Sequence, residues 1–149
     1  MEAFWLNERG ALDRAILASE GIASEQCEVG AHEPMIARWM KEGGYRERDE
    51  IVLEPSTEHL ETICAKFADE HHHDEDEVRF VLDGGGIFDI RSSNDRWMRV
   101  VVGRGDLIVV PKGRHHRFLL TSAKSIRCLR LFQNREGWVP HYRNQHGGG

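Results

Sequence analysis

His71-His72-His73-Asp74-Glu75-Asp76-Glu77 runs straight into Val78-Arg79-Phe80-Val81-Leu82 and then into Asp83-Gly84-Gly85-Gly86. Side chains on an extended strand alternate between faces, so positions 71, 73, 77 and 79 share one face. A helix would align only His73 with Glu77 and leave His71 about 80° off their line. The β-rich run after Glu77 and the glycine-rich turn signal that ends it favour the strand. The same alternation sends His72 to the opposite face, so it is not expected to join a metal site built from its neighbours.

An acidic, histidine-rich heptad alone could be a solvated polar run. A second spaced segment decides against that. Gly105, five residues, Pro111, one residue, Gly113, two residues and His116 set turn residues around Leu107-Ile108-Val109-Val110 and restart a strand at His116-Arg117-Phe118-Leu119-Leu120. The two segments together read as a His-x-His-x3-Glu metal site closed by a distant histidine, with His71, His73, Glu77 and His116 as candidate ligands and His115 facing away. Three neutral imidazoles and one carboxylate leave a divalent ion with a net charge of about +1 and, in an octahedral shell, about two open positions for a chelating substrate. A structural zinc site is closed at four ligands, commonly with thiolates, and Cys27, Cys64 and Cys128 lack that spacing. Imidazole-rich ligation suits iron, nickel, copper or zinc.

Outward from these segments, short β-rich runs alternate with turns: 78–82, 87–90, 97–102, 107–110, 116–120 and 126–132. That cadence predicts a mainly β chain, an antiparallel jelly-roll barrel. The front reads as helical. Pro34 followed by Met35, Ile36, Trp39 and Met40, with a stop at Gly43-Gly44, predicts a short amphipathic helix. Leu60, Ile63, Cys64 and Phe67 after Pro55-Ser56-Thr57 predict a second, whose apolar stripe caps the body.

Phe67-Ala68-Asp69-Glu70-His71-His72-His73, Glu77-Val78-Arg79-Phe80, Gly105-Asp106-Leu107-Ile108, Arg130-Leu131-Phe132 and Glu136-Gly137-Trp138 closely resemble words of the acireductone dioxygenase family, and the two histidine segments resemble the two cupin motifs. The similarity extends from about Trp39 to Trp138. Departures are Ala65 where cupins usually carry glycine, Leu120 where they carry Asn, and a poor match before Ala31. The resemblance implies a single cupin domain over 1–149: a helical front and cap at 1–68, a barrel at 69–140 and a flexible tail at 141–149. It also implies one Fe(II) or Ni(II) per chain. The implied reaction cleaves 1,2-dihydroxy-3-keto-5-methylthiopentene with O2 in methionine salvage, to formate and 2-keto-4-methylthiobutyrate with iron, or with carbon monoxide release with nickel. Arg79 matches a family position that holds the carboxylate ligand and balances substrate charge, and Phe67, Phe118 and Trp138 match aromatics that line the pocket. Arg130 shares parity with Ile126, Cys128 and Phe132, leaving a buried ion pair or a pocket role open.

A chain of 149 residues fits one domain. Three scattered cysteines suit a reducing compartment, and the start carries neither a signal peptide nor a membrane span, so the expected location is cytoplasmic. A formal net charge of −5 spread over mixed-sign segments disfavours nucleic acid and leaves small molecules as partners. Oligomeric state is not read from these residues. Two other readings share the ligand quartet: an oxygenase acting on another enediol or small chelating substrate, and a non-catalytic ligand-binding cupin.

Overall fold

The computed structural model describes residues 1–143; the rest of the expected tail, 144–149, lies outside the described residues. Its strands are β1 (Glu2–Trp5), β2 (Ala23–Gln26), β3 (Glu47–Leu53), β4 (His71–His72), β5 (Glu77–Arg91), β6 (Trp97–Gly103), β7 (Asp106–Val110), β8 (His116–Leu120), β9 (Ile126–Phe132) and β10 (His141–Tyr142). The helices are α1 (Arg14–Ser19), α2 (Glu33–Gly43) and α3 (Leu60–Ala68), with a 3-10 turn at Arg135–Trp138. All ladders are antiparallel. One sheet runs β1-β6-β5-β8-β4-β10 and the other β2-β7-β5-β9-β3, so β5 belongs to both.

Asp83-Gly84-Gly85-Gly86, expected as a turn, instead lies inside the single 15-residue strand β5. The chain bends here rather than reversing. Residues before the bend pair with β7 and β9, those after it with β6 and β8, and the register slips between Val81 and Asp83. A bulge of this kind bends a strand and changes which residues face inward. Glu77, Arg79 and Val81 face the barrel before it, Phe88 and Ile90 after it. Gly84 has φ +73°, and a Cβ there would lie 2.2 Å from the carbonyl oxygen of Ser125; at Gly86 a Cβ would lie 2.4 Å from the Phe118 ring. Both positions need the absent side chain.

The alternation before the bend feeds two cores. Val81, Phe88, Ile90, Ile108, Val110, Phe118 and Cys128 fill the barrel, whereas Val78, Phe80, Leu82, Leu107, Val109 and Leu131 face outward beneath α2. Met35 and Ile36 of α2 are buried on that outer face, and Pro34 and the left-handed Gly44 bound the helix as expected. Burying each such side chain stabilises by roughly 1.5–3 kcal/mol. The second of the two expected helices, α3, begins at Leu60, after a turn over Glu54–Thr57, and packs Leu60, Ile63 and Phe67 against the barrel core.

The front is only partly helical. β1, β2 and β3 pair with β6, β7 and β9, and two of them close the open edges of the second sheet. Their sequences, EAFW, ASEQ and ERDEIVL, are short or polar and carry little β pattern. The expected flexible tail also starts too early, because His141 and Tyr142 pair with His72 and His71. No helix among the described residues is long and apolar enough to cross a membrane.

Candidate metal centre

β4 supplies His71, the loop after it His73, β5 Glu77 and Arg79, and β8 His116. Register does most of the assembly, since His71 is the cross-strand partner of His116 on one side and of Tyr142 on the other. The carbonyl of His73 accepts a hydrogen bond from the Gly113 N–H at 2.8 Å, tying the first histidine segment to the turn before the second. The acidic residues between them are largely structural. Asp76 accepts from the Tyr45 hydroxyl at 3.0 Å and the Lys112 N–H at 2.9 Å. Glu75 is buried and accepts the backbone N–H groups of Gln133 and Asn134, which lead into the turn carrying Trp138.

Nitrogen atoms of His71, His73 and His116 lie within 4.8 Å of one another, and all three residues are buried. Glu77 completes the group, its Oε1 3.6 Å from His73 Nε2 and its Oε2 3.3 Å from His116 Nε2. Nδ1 of His71 lies 2.5 Å from the Asp69 carbonyl and Nδ1 of His116 3.0 Å from that of Arg114. A carbonyl only accepts, so both rings carry the proton on Nδ1 and turn Nε2 inward as a lone-pair donor. His116 Nε2 and Glu77 Oε2 are buried without a hydrogen-bond partner. Such orphaned groups are costly unless something satisfies them. A divalent ion fits this donor set.

Electrostatics match. Burial opposes ionisation of Glu77, yet the Arg79 charge together with His116 and His73 holds its carboxyl well below the usual range. Burial, reinforced by the neighbouring His116, lowers His71 to about 4, so this imidazole is neutral near pH 7. Arg79 is 2% exposed, with Nη2 3.3 Å from Glu77 Oε1 and Nη1 donating to Cys128 Sγ at 3.6 Å. Its guanidinium carbon sits 5.2 Å from the Phe118 ring centre, 5.7 Å from Trp138 and 5.8 Å from Phe67. The Trp138 ring also stacks on His73 at 5.6 Å.

These residues open on a cavity of about 160 Å³ lined by Phe67, His71, His73, Glu77, Arg79 and Trp138, with Lys66, Arg130, Pro140 and Tyr142. The structure thus gathers His71, His73, Glu77, His116, Arg79, Phe67, Phe118 and Trp138 in one place and turns His72 and His115 toward each other outside it. Arg130 forms a two-pronged, half-buried pair with Asp49 at 2.9 and 2.7 Å and also lines the cavity. Lys66, Pro140 and Tyr142 escaped the sequence reading. Lys66 sits on the polar side of an amphipathic pattern, and a two-residue strand such as β10 leaves no periodicity to detect.

Residues 20–140 match a family model described as the ARD/ARD' family. An acireductone dioxygenase of Heterostelium pallidum is 48% identical over 105 residues, 70% of this chain and 72% of the relative. One of Dictyostelium discoideum is 47% identical over 67% of this chain and 68% of its own length. A solved acireductone dioxygenase from Bacillus anthracis, with a cadmium ion in its active center, superposes with a TM-score of 0.90 at 28% identity, covering 95% of this chain and 97% of that one. The family match starts at residue 20, ahead of Trp39, and the backbone superposition extends over nearly all of the chain. On the family match and these identities, the chain belongs to the ARD/ARD' family, the acireductone dioxygenases.

Proposed function

We propose that this chain is a metal-dependent dioxygenase that cleaves 1,2-dihydroxy-3-keto-5-methylthiopentene with O2 to formate and 2-keto-4-methylthiobutyrate, the cytoplasmic reaction of methionine salvage. The observation that carries the reading is the convergence of three histidines and Glu77 on a small cavity whose other walls are cationic and aromatic. His71, His73, Glu77 and His116 would hold one iron or nickel ion. When bound, that ion supplies a Lewis-acid template for a chelating enediol and dioxygen, and the choice of ion selects between the keto-acid products and carbon monoxide release.

The protein's own share is charge, orientation and dryness. Arg79 is fixed by Glu77, Cys128 and three rings, so its charge is in place before an anionic substrate arrives. Arg130 and Lys66 add positive charge along the same lining. Phe67 and Trp138 give the apolar end of the substrate a wall that excludes water, and Phe118 backs both Phe67 and Arg79. Nδ1–H donation to Asp69 and Arg114 carbonyls keeps His71 and His116 in the tautomer a metal requires.

Matched iron and nickel preparations, supplied with the acireductone under dioxygen, test the proposal. Both should consume substrate and oxygen, with carbon monoxide from the nickel form alone. If both leave the substrate to its spontaneous oxidation, the site serves another enediol or none.

A further inference from the structure

β3 pairs only with β9 among the described strands, so it forms an edge of the second sheet. Its outward residues are charged and matched: Arg48 pairs with Glu33 at 2.8 Å and Glu50 with Arg127 at 2.8 Å. Alternation turns Asp49 the other way, onto the face that brings Ile51 and Leu53 to the barrel core. A carboxylate is out of place among those apolar neighbours, and the Asp49 side chain is 22% exposed. The register explains what holds it. Asp49 is the cross-strand partner of Arg130, and Arg130 is in turn the cross-strand partner of Arg79.

Two like charges side by side on neighbouring strands repel. Here each is drawn off by its own carboxylate. Arg79 Nη2 donates to Glu77 at 3.3 Å, and Arg130 donates through Nε and Nη2 to the two oxygens of Asp49 at 2.9 and 2.7 Å. That two-pronged bond fixes the plane of the Arg130 guanidinium, which a single contact would not. The guanidinium carbon also lies 5.1 Å from the Phe132 ring centre and 5.4 Å from that of Trp138. Donors remain on both arginines. Arg130 Nη1 has no acceptor among the described residues, and Arg79 Nε is buried without a partner. Both side chains line the cavity.

We propose that Asp49 is a positioning residue for the substrate: it holds Arg130 apart from Arg79, so that two guanidiniums on adjacent strands present donors to one anion. The ligand class this suits is a small anion with two neighbouring oxygens, and the proposal rests on the enediol reaction assigned to the cavity. Because Asp49 balances the Arg130 charge, Arg130 contributes direction more than net charge, whereas Arg79 shares its carboxylate with the metal site. The sign of the effect follows. An acid that merely sat near the cavity would repel anions, and neutralising it would tighten their binding. A positioning acid, once neutralised, releases Arg130 and loosens their binding.

The experiment is a calorimetric titration of nickel-loaded protein with oxalate, a dianion that offers two neighbouring oxygens, at matched metal content. Asp49→Asn should weaken binding about tenfold, and Arg130→Ala by at least as much. The double variant should bind no more weakly than Arg130→Ala, because Asp49 acts only through that side chain. Arg130→Lys keeps the charge but loses the two-pronged bond, and it too should bind weakly. If Asp49→Asn does not fold, Arg130→Lys decides. Oxalate that fails to bind the wild type, binds Asp49→Asn as tightly or more tightly, loses further affinity in the double variant, or binds Arg130→Lys like the wild type overturns the assignment. Turnover of the acireductone by the same preparations separates the two claims. The expected binding pattern without turnover would refute the substrate and leave Asp49 as the residue that sets Arg130.

Discussion

Among single residues Arg79 is the one whose position is hardest to explain by packing alone. A guanidinium 2% exposed inside an apolar barrel carries a heavy desolvation cost, and among the described residues Glu77 offsets it with an opposite charge. If the inner site is filled and Glu77 serves the metal, part of the Arg79 charge is left to meet an anion in the cavity. Arg79→Ala should therefore fold and keep its metal while kcat falls by roughly tenfold to a hundredfold, the worth of a charge-assisted contact of about 1.5–3 kcal/mol made in the transition state. Turnover unchanged at equal metal content would reduce Arg79 to a structural partner of Glu77. The ligand residues make a complementary claim. His73→Ala and His116→Ala should lose most of the buried metal, and His115→Ala should not, as metal analysis of the dialysed proteins will tell.

At the level of elements, the bend in β5 and the loop before it determine whether the donors converge. Much of this was legible: the parity of 71, 73, 77 and 79, the strand at 107–110 and the restart at His116 all follow from alternation and turn residues. The bend was not, because Asp83-Gly84-Gly85-Gly86 has the composition of a reversal, and it is the pairing of β5 with β7 and β9 before the bend and with β6 and β8 after it that carries the chain on. Gly86→Ala should cost about 1–3 kcal/mol by overpacking, read from the denaturation midpoint, and trimming Phe118 to Val should recover part of it. Glu75 is the other hidden element of the design. Within an acidic run it looks solvated, yet its buried carboxylate fixes the backbone from which Trp138 reaches His73. Glu75→Gln should keep the metal but raise KM and lower stability by about 1.5–3 kcal/mol. Unchanged KM and an unchanged midpoint would mean that Trp138 is placed by its own packing.

For the whole molecule, the inner site is a standing electrostatic load on the fold. Without metal, the barrel holds neutral His71 beside His116 and an ionised Glu77 that Arg79 stabilises. The folded-state value for His71, about 4, lies below the value of about 6.5 for a free imidazole, so between those limits the unfolded chain binds a proton that the folded chain refuses. Stability from this group is complete above about pH 6.5 and declines as pH falls toward 4, by an amount on the order of 3 kcal/mol. His72 and His115 are also lowered, chiefly by burial, and act in the same direction. Protonation also removes the lone pair a metal needs, so metal loss and destabilisation should share this window rather than follow the carboxylates at lower pH. Urea midpoints of metal-free protein measured from pH 7.5 to 4.5 check the sign: the midpoint should be level above 6.5 and drop below it, and His71→Asn should flatten the slope. A midpoint that stays level down to pH 5 would mean that the metal-free barrel opens enough to hydrate His71, and that the buried cluster exists only when an ion holds it together.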